Sequence, residues 1–77
     1  MEIEKFVEDF AAQFEETDAN EFRIKTAFRD IEEWSSFIML LIIAMVNEKY
    51  HVKLTGEDIR NSKTIEDIYK IVASKIV

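Results

Sequence analysis

The sequence of 77 residues predicts an all-α fold, a four-helix bundle with three longer helices, one short third helix and a long first loop. Apolar residues recur every three or four positions near both ends of the chain, as in amphipathic helices. A continuous apolar run covers residues 37–46. The chain has one Gly and no Pro, so the usual residues of hairpin turns are almost absent. At this length we expect a single domain over residues 1–77.

The first helix is predicted over residues 2–15. Its apolar residues follow helical spacing, and acidic residues occupy the opposite side. Acidic side chains early in a helix also suit the positive end of its dipole. The apolar positions are Ile3, Phe6, Val7, Phe10, Ala11 and Phe14.

The helical periodicity stops after this helix, and residues 16–34 are predicted to form a long loop with room for short helical turns. Apolar residues are spaced along this otherwise polar stretch, and we expect them to anchor the loop on the core. Ordered loops of this length are uncommon in small domains and are often functional. The anchors are Phe22, Ile24, Phe28, Ile31 and Trp34.

The second helix is predicted over residues 36–50, with Ser35 as its N-cap, and it carries two apolar stripes rather than one. Glu48 lies on the side of the second stripe. A helix this apolar is either buried on nearly all sides or covered by a partner. Either the long first loop folds over the second stripe, or that stripe binds another molecule, a second copy of the chain included. One stripe consists of Met39, Ile42, Ile43, Val46 and Tyr50, and the second of Ile38, Leu41 and Met45.

Two capping motifs mark the third and fourth helices. Thr55 is followed three residues later by Asp58, which is the spacing of a capping box and predicts a short third helix. Thr64 and Asp67 repeat this spacing and predict the start of the last helix. Gly56 is expected in the turn, where a permissive backbone is useful. The apolar stripe of the last helix consists of Ile65, Ile68, Tyr69, Val72 and Ile76.

Composition argues against several classes of function. Without Cys the chain has no disulfide, no Cys-ligated zinc and no thiol nucleophile of its own. A single histidine, His51, argues against a multi-His site, and we expect no metal. The net charge of −6 argues against nucleic acid and anionic membranes as partners and favours basic protein surfaces. Most of this charge comes from residues 1–33, which have eleven acidic and four basic side chains.

No targeting segment or membrane span is expected. The apolar run of residues 37–46 is too short to cross a bilayer. The first residues are acidic, whereas a secretory signal begins with basic residues. We therefore expect a cytoplasmic protein.

Ser36 stands at the predicted start of the second helix. Taken alone, the pair Ser35-Ser36 indicates helix capping. Its surroundings favour another interpretation, because Glu33-Trp34-Ser35-Ser36-Phe37 resembles the modification site of acyl carrier proteins, commonly Trp-Asp-Ser-Leu in stand-alone members. The resemblance continues in order along the chain, through Phe28-Arg29-Asp30-Ile31 before the site and Asn47-Glu48-Lys49-Tyr50, His51-Val52-Lys53-Leu54-Thr55, Glu57-Asp58-Ile59 and Thr64-Ile65-Glu66-Asp67-Ile68 after it.

The resemblance implies a carrier with an acyl-carrier-like fold rather than an enzyme. It implies that a phosphopantetheinyl transferase moves 4′-phosphopantetheine from coenzyme A to Ser36, and that the thiol of this arm holds acyl groups as thioesters. We also expect a monomer, and the departures from the family's pattern described below suggest a specialised fatty-acid, polyketide-type or lipid-modifying pathway. Its other partners would be acyl-loading and acyl-using enzymes, such as a ketosynthase or an acyltransferase. No residue is expected to be catalytic, and partner-binding residues are expected at Ser35, Phe37, Ile38, Leu41, Met45 and Glu48.

Several positions depart from the family's pattern. Ser35 stands in place of the Asp that helps the transferase to engage the site, and Phe37 replaces the usual Leu. Ile38 and Leu41 stand where many members carry acidic residues. We therefore expect partners to recognise the second helix mainly by burying apolar side chains, with a weak dependence on salt.

Two alternatives remain open. The first is an unmodified carrier-like module that binds a protein partner through the apolar face of its second helix. The second is an enzyme with Glu32 and Glu33 as acid and base. However, no base for the Ser36 hydroxyl is visible in the sequence. His51 lies about 15 residues after Ser36, or about 22 Å along a helix axis. Glu32 and Glu33 also stand where carriers of peptide synthetases usually have Gly-Gly, which argues against that subclass.

Overall fold

The computed structural model describes residues 2–76, and this part of the chain forms four α-helices around one hydrophobic core. The only β-type pairing within it is an isolated bridge between Ala27 and Thr64. The predicted all-α bundle with a short third helix is therefore confirmed. The helices are α1 (Ile3–Ala11), α2 (Ser36–Tyr50), α3 (Gly56–Arg60) and α4 (Ile65–Lys75).

α1 ends at Ala11, four residues before the predicted end. The backbone N–H of Gln13 donates to the carbonyl of Phe10 at 3.2 Å, and that of Phe14 donates to Ala11 at 3.0 Å. These bonds span three residues instead of four, so the chain tightens into a turn. Phe14 is still buried after this change. Because Phe14 continues the apolar spacing of α1, the sequence predicts a helix that is longer than the helical hydrogen bonding.

α2 begins and ends at the predicted residues. The Oγ of Ser35 accepts a hydrogen bond from the backbone N–H of Ile38 at 3.2 Å, which confirms Ser35 as the N-cap. At the other end, His51 has a left-handed backbone with φ of 56°, and its N–H donates to Asn47. A left-handed residue after the last turn is a common way to end a helix, although Gly is the usual residue there.

Both predicted capping boxes are present. Thr55 and Asp58 exchange side-chain hydrogen bonds with each other's backbone N–H groups at the start of α3, and Thr64 and Asp67 do the same at the start of α4. Gly56 is the first residue of α3 instead of a turn residue, and its φ is negative. The structure therefore does not use the backbone freedom that the sequence suggested for this glycine.

The long first loop contains two short 3₁₀ turns, Ala19–Glu21 and Phe28–Asp30. Phe22 and Phe28 are buried in the core, and the other three predicted anchors are half-buried. The rings of Phe28 and Trp34 lie 4.8 Å apart. The expectation that apolar residues anchor this loop on the core is confirmed.

Backbone hydrogen bonds also fasten the loop to the start of α4. The N–H of Ile65 donates to the carbonyl of Thr26 at 3.1 Å, and the N–H of Glu66 donates to Ile24 at 2.8 Å. The first N–H groups of a helix have no acceptor inside the helix, so the loop supplies acceptors that α4 lacks. The loop and the helix are thus stabilised by the same contacts.

Arg29 joins the loop to the end of α3. Its guanidinium donates to the carbonyl oxygens of Ile59 and Ser62. The last carbonyls of a helix have no donor inside the helix, and a cation suits their negative end of the dipole. The first loop therefore contacts α3 and α4 at one end of the bundle.

The two stripes of α2 are both largely covered by the protein itself. Ile38 and Met45 are each 5% exposed and belong to the same core as Ile42 and Val46, while Leu41 is half-buried. The expectation that Ile38 and Met45 lie open to a partner is wrong. The physical reason is that α1 and α3 both pack against α2, and that Ile38 and Met45 join the same buried cluster as the loop residues Phe22 and Phe28.

Candidate site at the start of α2

The two adjacent serines have different environments. Ser35 uses its Oγ to cap α2, whereas Ser36 is the first residue of the helix and its side chain is exposed. Capping needs only one of the two hydroxyls. Of the pair, Ser36 is therefore the one whose hydroxyl a modifying enzyme could reach without removing the N-cap.

The start of α2 is also electrostatically suited to an anion. The helix has 15 residues, and its first turn contains no acidic side chain. The first N–H groups of a helix have no intrahelical acceptor and carry the positive end of the dipole. A phosphate ester on the Ser36 oxygen would lie beside these groups, so the site fits a phosphodiester.

Glu33 holds the chain in place just before the serines. One of its carboxylate oxygens accepts from the N–H of Glu16, and from the N–H and hydroxyl of Thr17, at 2.8–3.0 Å. The other accepts from the N–H of Glu15 at 2.8 Å. Desolvation alone would raise the pKa of Glu33, but the hydroxyl and the three amides more than offset it and lower this pKa. Glu33 therefore connects the exit of α1 to the entry of α2.

This role could not be read from the sequence, because the donors lie 16–18 residues before Glu33. The alternative in which Glu33 is a general base finds little support in its geometry. Both of its oxygens already accept hydrogen bonds, and a lowered pKa makes a weaker base. Glu32, its neighbour, is exposed.

Trp34 is half-buried and packs on two phenylalanines. Its ring centroid is 4.8 Å from that of Phe28 and 6.3 Å from that of Phe14. Together with the hydrogen bonds of Glu33, this packing fixes the segment that enters α2. The backbone just before Ser36 is therefore held by two independent sets of contacts.

The exposed side of α2 differs from the predicted partner-binding set. Phe37 is 66% exposed and Leu40 is 58% exposed, and Ala44 and Glu48 are exposed as well. These four residues lie within about 60° of Phe37 around the helix at 100° per residue, and we call them the outer face of α2. Leu41 lies at the edge of this face and is half-buried.

Leu40 is the residue that sequence reasoning missed. It belongs to neither predicted stripe, but it follows Phe37 by three positions and precedes Ala44 by four, which places all three on one side of a helix. Of the predicted partner-binding residues, Ser35, Phe37 and Glu48 are exposed.

His51 is far from the serines, as expected. It caps the opposite end of α2, about 22 Å from Ser36 at 1.5 Å per residue. No described contact brings the two residues together, since the helix between them is continuous. His51 therefore does not provide a base for the Ser36 hydroxyl.

A small groove of about 230 Å³ lies between the segment after α1 and the start of α2, and we call it the α1–α2 groove. Its apolar side consists of Phe37, Ile38 and Leu41, and its polar side of Gln13, Glu15, Glu33 and Ser35.

A larger open cavity of about 770 Å³ lies on the other side of Glu33, over the first loop. Its carboxylates give this side of the protein a negative surface. Within residues 2–76 there is no group of three or more His, Cys, Asp or Glu side chains placed to hold a metal ion. The acidic residues that line the cavity are Glu16, Glu21, Asp30, Glu32 and Glu33.

Comparison with known proteins gives no match: no family model, curated protein or solved structure is similar to this chain. Among the helices of residues 2–76, none has the length and apolar character needed to cross a membrane. A function for the chain is therefore argued from the site itself.

Proposed function

We propose that this chain is an acyl carrier protein with 4′-phosphopantetheine attached to Ser36. The observation that carries the proposal is the division of roles between the serines: Ser35 caps α2 and Ser36 is exposed at its first position. This arrangement, combined with the ordered resemblance along the sequence, supports a modification site over a simple capping pair.

The attachment follows from the chemistry of the two groups. The Ser36 oxygen would form a bond to the phosphorus of the phosphopantetheine part of coenzyme A. The pyrophosphate bond would break and release adenosine 3′,5′-bisphosphate, while the hydroxyl proton passes to a base of the transferase. The new phosphodiester carries negative charge at a helix N-terminus, an interaction of about 0.3–1 kcal/mol at an exposed site.

The proposed carrier chemistry uses a thiol that the chain lacks. The sequence has no Cys, and the bound arm would supply a terminal thiol for thioester formation. The residues of this chain would then bind and orient the arm and present it to other enzymes. We propose a cytoplasmic, monomeric carrier without catalytic activity of its own. It would serve a specialised fatty-acid, polyketide-type or lipid-modifying pathway, with a ketosynthase or an acyltransferase as examples of its partners.

The outer face of α2 is the proposed contact surface for these enzymes. It begins one residue after Ser36, and its large side chains, Phe37 and Leu40, are well exposed. Burying both would contribute on the order of 2–4 kcal/mol to association before the entropic cost. Because this surface is mainly apolar, its binding should depend weakly on salt.

Intact-protein mass spectrometry tests the modification. The protein is incubated with coenzyme A, Mg²⁺ and a broad-specificity phosphopantetheinyl transferase. We expect a mass increase of one phosphopantetheinyl group, mapped by fragmentation to Ser36. Ser36→Ala should abolish the increase, because the attacking oxygen is lost.

Ser35→Ala is the matched control. It should still be modified, although loss of the N-cap lowers the free energy of unfolding by about 1 kcal/mol. Modification of Ser36→Ala but not of Ser35→Ala would overturn the assignment. If the native chain is not modified, Ser35→Asp restores the residue that the family uses at this position and keeps an N-cap.

A second candidate function is a helical binding module that never carries the arm. The exposure of Phe37 and Leu40 on one side of α2 favours it. Absence of modification in both the native chain and Ser35→Asp would support this candidate and remove the carrier proposal.

A further inference from the structure

We infer that the α1–α2 groove, and not the larger acidic cavity, holds the pantetheine part of the arm when Ser36 is modified. This inference rests on the proposed function and adds to it the residues that contact the arm. Those residues are Phe37, Ile38 and Leu41 on the apolar side, and Gln13 and Ser35 on the polar side.

The groove lies next to the residue that would carry the arm. Ser35 and Phe37 both line it, and Ser36 lies between them in the chain. An arm attached to Ser36 therefore starts beside the groove. It can enter from the surface without displacing α2 or the hydrogen bonds of Glu33.

The apolar side of the groove matches one part of the arm. Ile38 is almost fully buried, Leu41 is half-buried and Phe37 is 66% exposed, so together they form a wall that still has apolar surface to lose. Pantetheine carries a carbon with two methyl groups close to its phosphate end. Placing these methyl groups against the wall removes apolar surface of both from water.

The polar side matches the amides of the arm. The Nε2 of Gln13 donates to the carbonyl of Asp9 at 3.1 Å, which orients the side chain and leaves its Oε1 as an acceptor. The Oγ of Ser35 accepts from Ile38 and keeps its own proton to donate. The groove thus provides an acceptor for an amide N–H and a donor for an amide carbonyl.

The two candidate sites differ in how many carboxylates line them. Five line the larger cavity, whereas two, Glu15 and Glu33, line the α1–α2 groove, so the cavity would repel an arm that begins with a phosphate more strongly. The start of α2 attracts that phosphate, and Glu33, which borders both sites, already accepts four hydrogen bonds. The phosphate therefore stays at the helix start, and the uncharged part of the arm lies in the α1–α2 groove.

Isotope-filtered NMR on the modified protein tests this placement. The ¹³C-methyl-labelled chain is modified with unlabelled coenzyme A, and mass spectrometry first records whether Ser36 carries the arm. We expect nuclear Overhauser contacts from the two arm methyl groups to the methyl groups of Ile38 and Leu41. The side-chain amide signal of Gln13 should also shift between the unmodified and modified forms.

Leu41→Ala and Leu40→Ala form a matched pair for the same experiment. Leu41→Ala shortens the apolar wall of the groove and should remove most contacts between the arm and Ile38. Leu40 is the adjacent residue in the sequence, but it lies on the outer face of α2 and does not line the groove. Leu40→Ala should keep the contacts of the native chain. If Leu41→Ala does not fold, the contacts measured in the native chain still show whether the arm lies in the groove.

The outcomes separate the two proposals. No mass increase at Ser36 in either the native chain or Ser35→Asp overturns the proposed function and this inference with it. A mass increase without contacts to Ile38 and Leu41, or with contacts to Ile59 on α3 instead, overturns this inference alone.

Discussion

At the scale of single residues, Asp9 is a charged side chain that is almost fully buried. It is 4% exposed and accepts hydrogen bonds from the Tyr50 hydroxyl, from Lys5 at 3.1 Å and from Lys49 at 3.4 Å. Burial raises the pKa of Asp9, but these donors more than offset it, and the pKa is lowered. Because Tyr50 and Lys49 belong to the end of α2, this carboxylate connects α1 to α2 at the end opposite Ser36.

Asp9→Asn should therefore destabilise the protein. The substitution keeps the size of the side chain but removes the charge that the two lysines and Tyr50 require. We expect the free energy of unfolding, measured with urea, to fall by about 1.5–3 kcal/mol. Glu8→Gln, an exposed neighbour on the same helix, is the control and should change it by less than about 0.5 kcal/mol. If the two substitutions had equal effects, the hydrogen bonds of Asp9 would make no net contribution to the free energy of unfolding.

At the scale of elements, the turn after α1 is held by a long-range contact to Glu33 and not by a neighbouring capping residue. The backbone N–H groups of residues 15–17 turn toward one carboxylate that is 16–18 residues away. A carboxylate can accept several hydrogen bonds, whereas an amide side chain offers only one acceptor oxygen. The geometry of the turn after α1 thus depends on the charge state of Glu33.

Glu33→Gln should loosen this turn without unfolding the bundle. We expect exchange with deuterium to become severalfold faster within residues 15–17, because at least one of these three amides loses its acceptor. Glu32→Gln, one position earlier and exposed, should leave these rates unchanged. Unchanged exchange in Glu33→Gln would show that other contacts hold the turn.

At the scale of the whole molecule, several carboxylates are stabilised by folding. Backbone amides of the capping boxes lower the pKa of Asp58 and Asp67, and the ion pair with Lys25 lowers that of Glu66. Asp9 and Glu33 shift in the same direction. Tyr50 shifts the other way, because burial and the hydrogen bond to Asp9 raise its pKa.

Stability should therefore decline at both ends of the pH range. Lowered carboxylate pKa values give stability that is complete above the unfolded values, about 3.9–4.3, and that is lost as pH falls through the folded values. The raised pKa of Tyr50 gives stability that is complete below its unfolded value of about 10 and is lost above it. We expect a plateau in the urea-derived free energy of unfolding between about pH 5.5 and pH 9.

Two substitutions identify the groups responsible. Asp9→Asn should reduce the decline on the acid side, and Tyr50→Phe should reduce the decline on the alkaline side. A free energy of unfolding that stays constant down to pH 3 would contradict the assignment of the carboxylates.

The bounds of α2 and the starts of α3 and α4 follow from neighbouring residues. Ser35, Thr55 and Thr64 each bond to an N–H three residues ahead, so the signal and its target lie in the same short segment. The all-α class and the anchoring of the first loop also follow from the spacing of apolar residues. The proposed modification site, Ser36, could be selected in the same way, from the residues around it.

Other features depend on contacts between segments that are distant in sequence. The spacing of apolar residues in α2 could not show which of them the rest of the protein would cover. In the packed bundle Ile38 and Met45 are buried, whereas Leu40 is exposed. The early end of α1, the hydrogen bonds of Glu33 and the α1–α2 groove also require the packed bundle. Local hydrogen bonding and periodicity are properties of a segment, whereas burial is a property of the surfaces that meet when all segments are assembled.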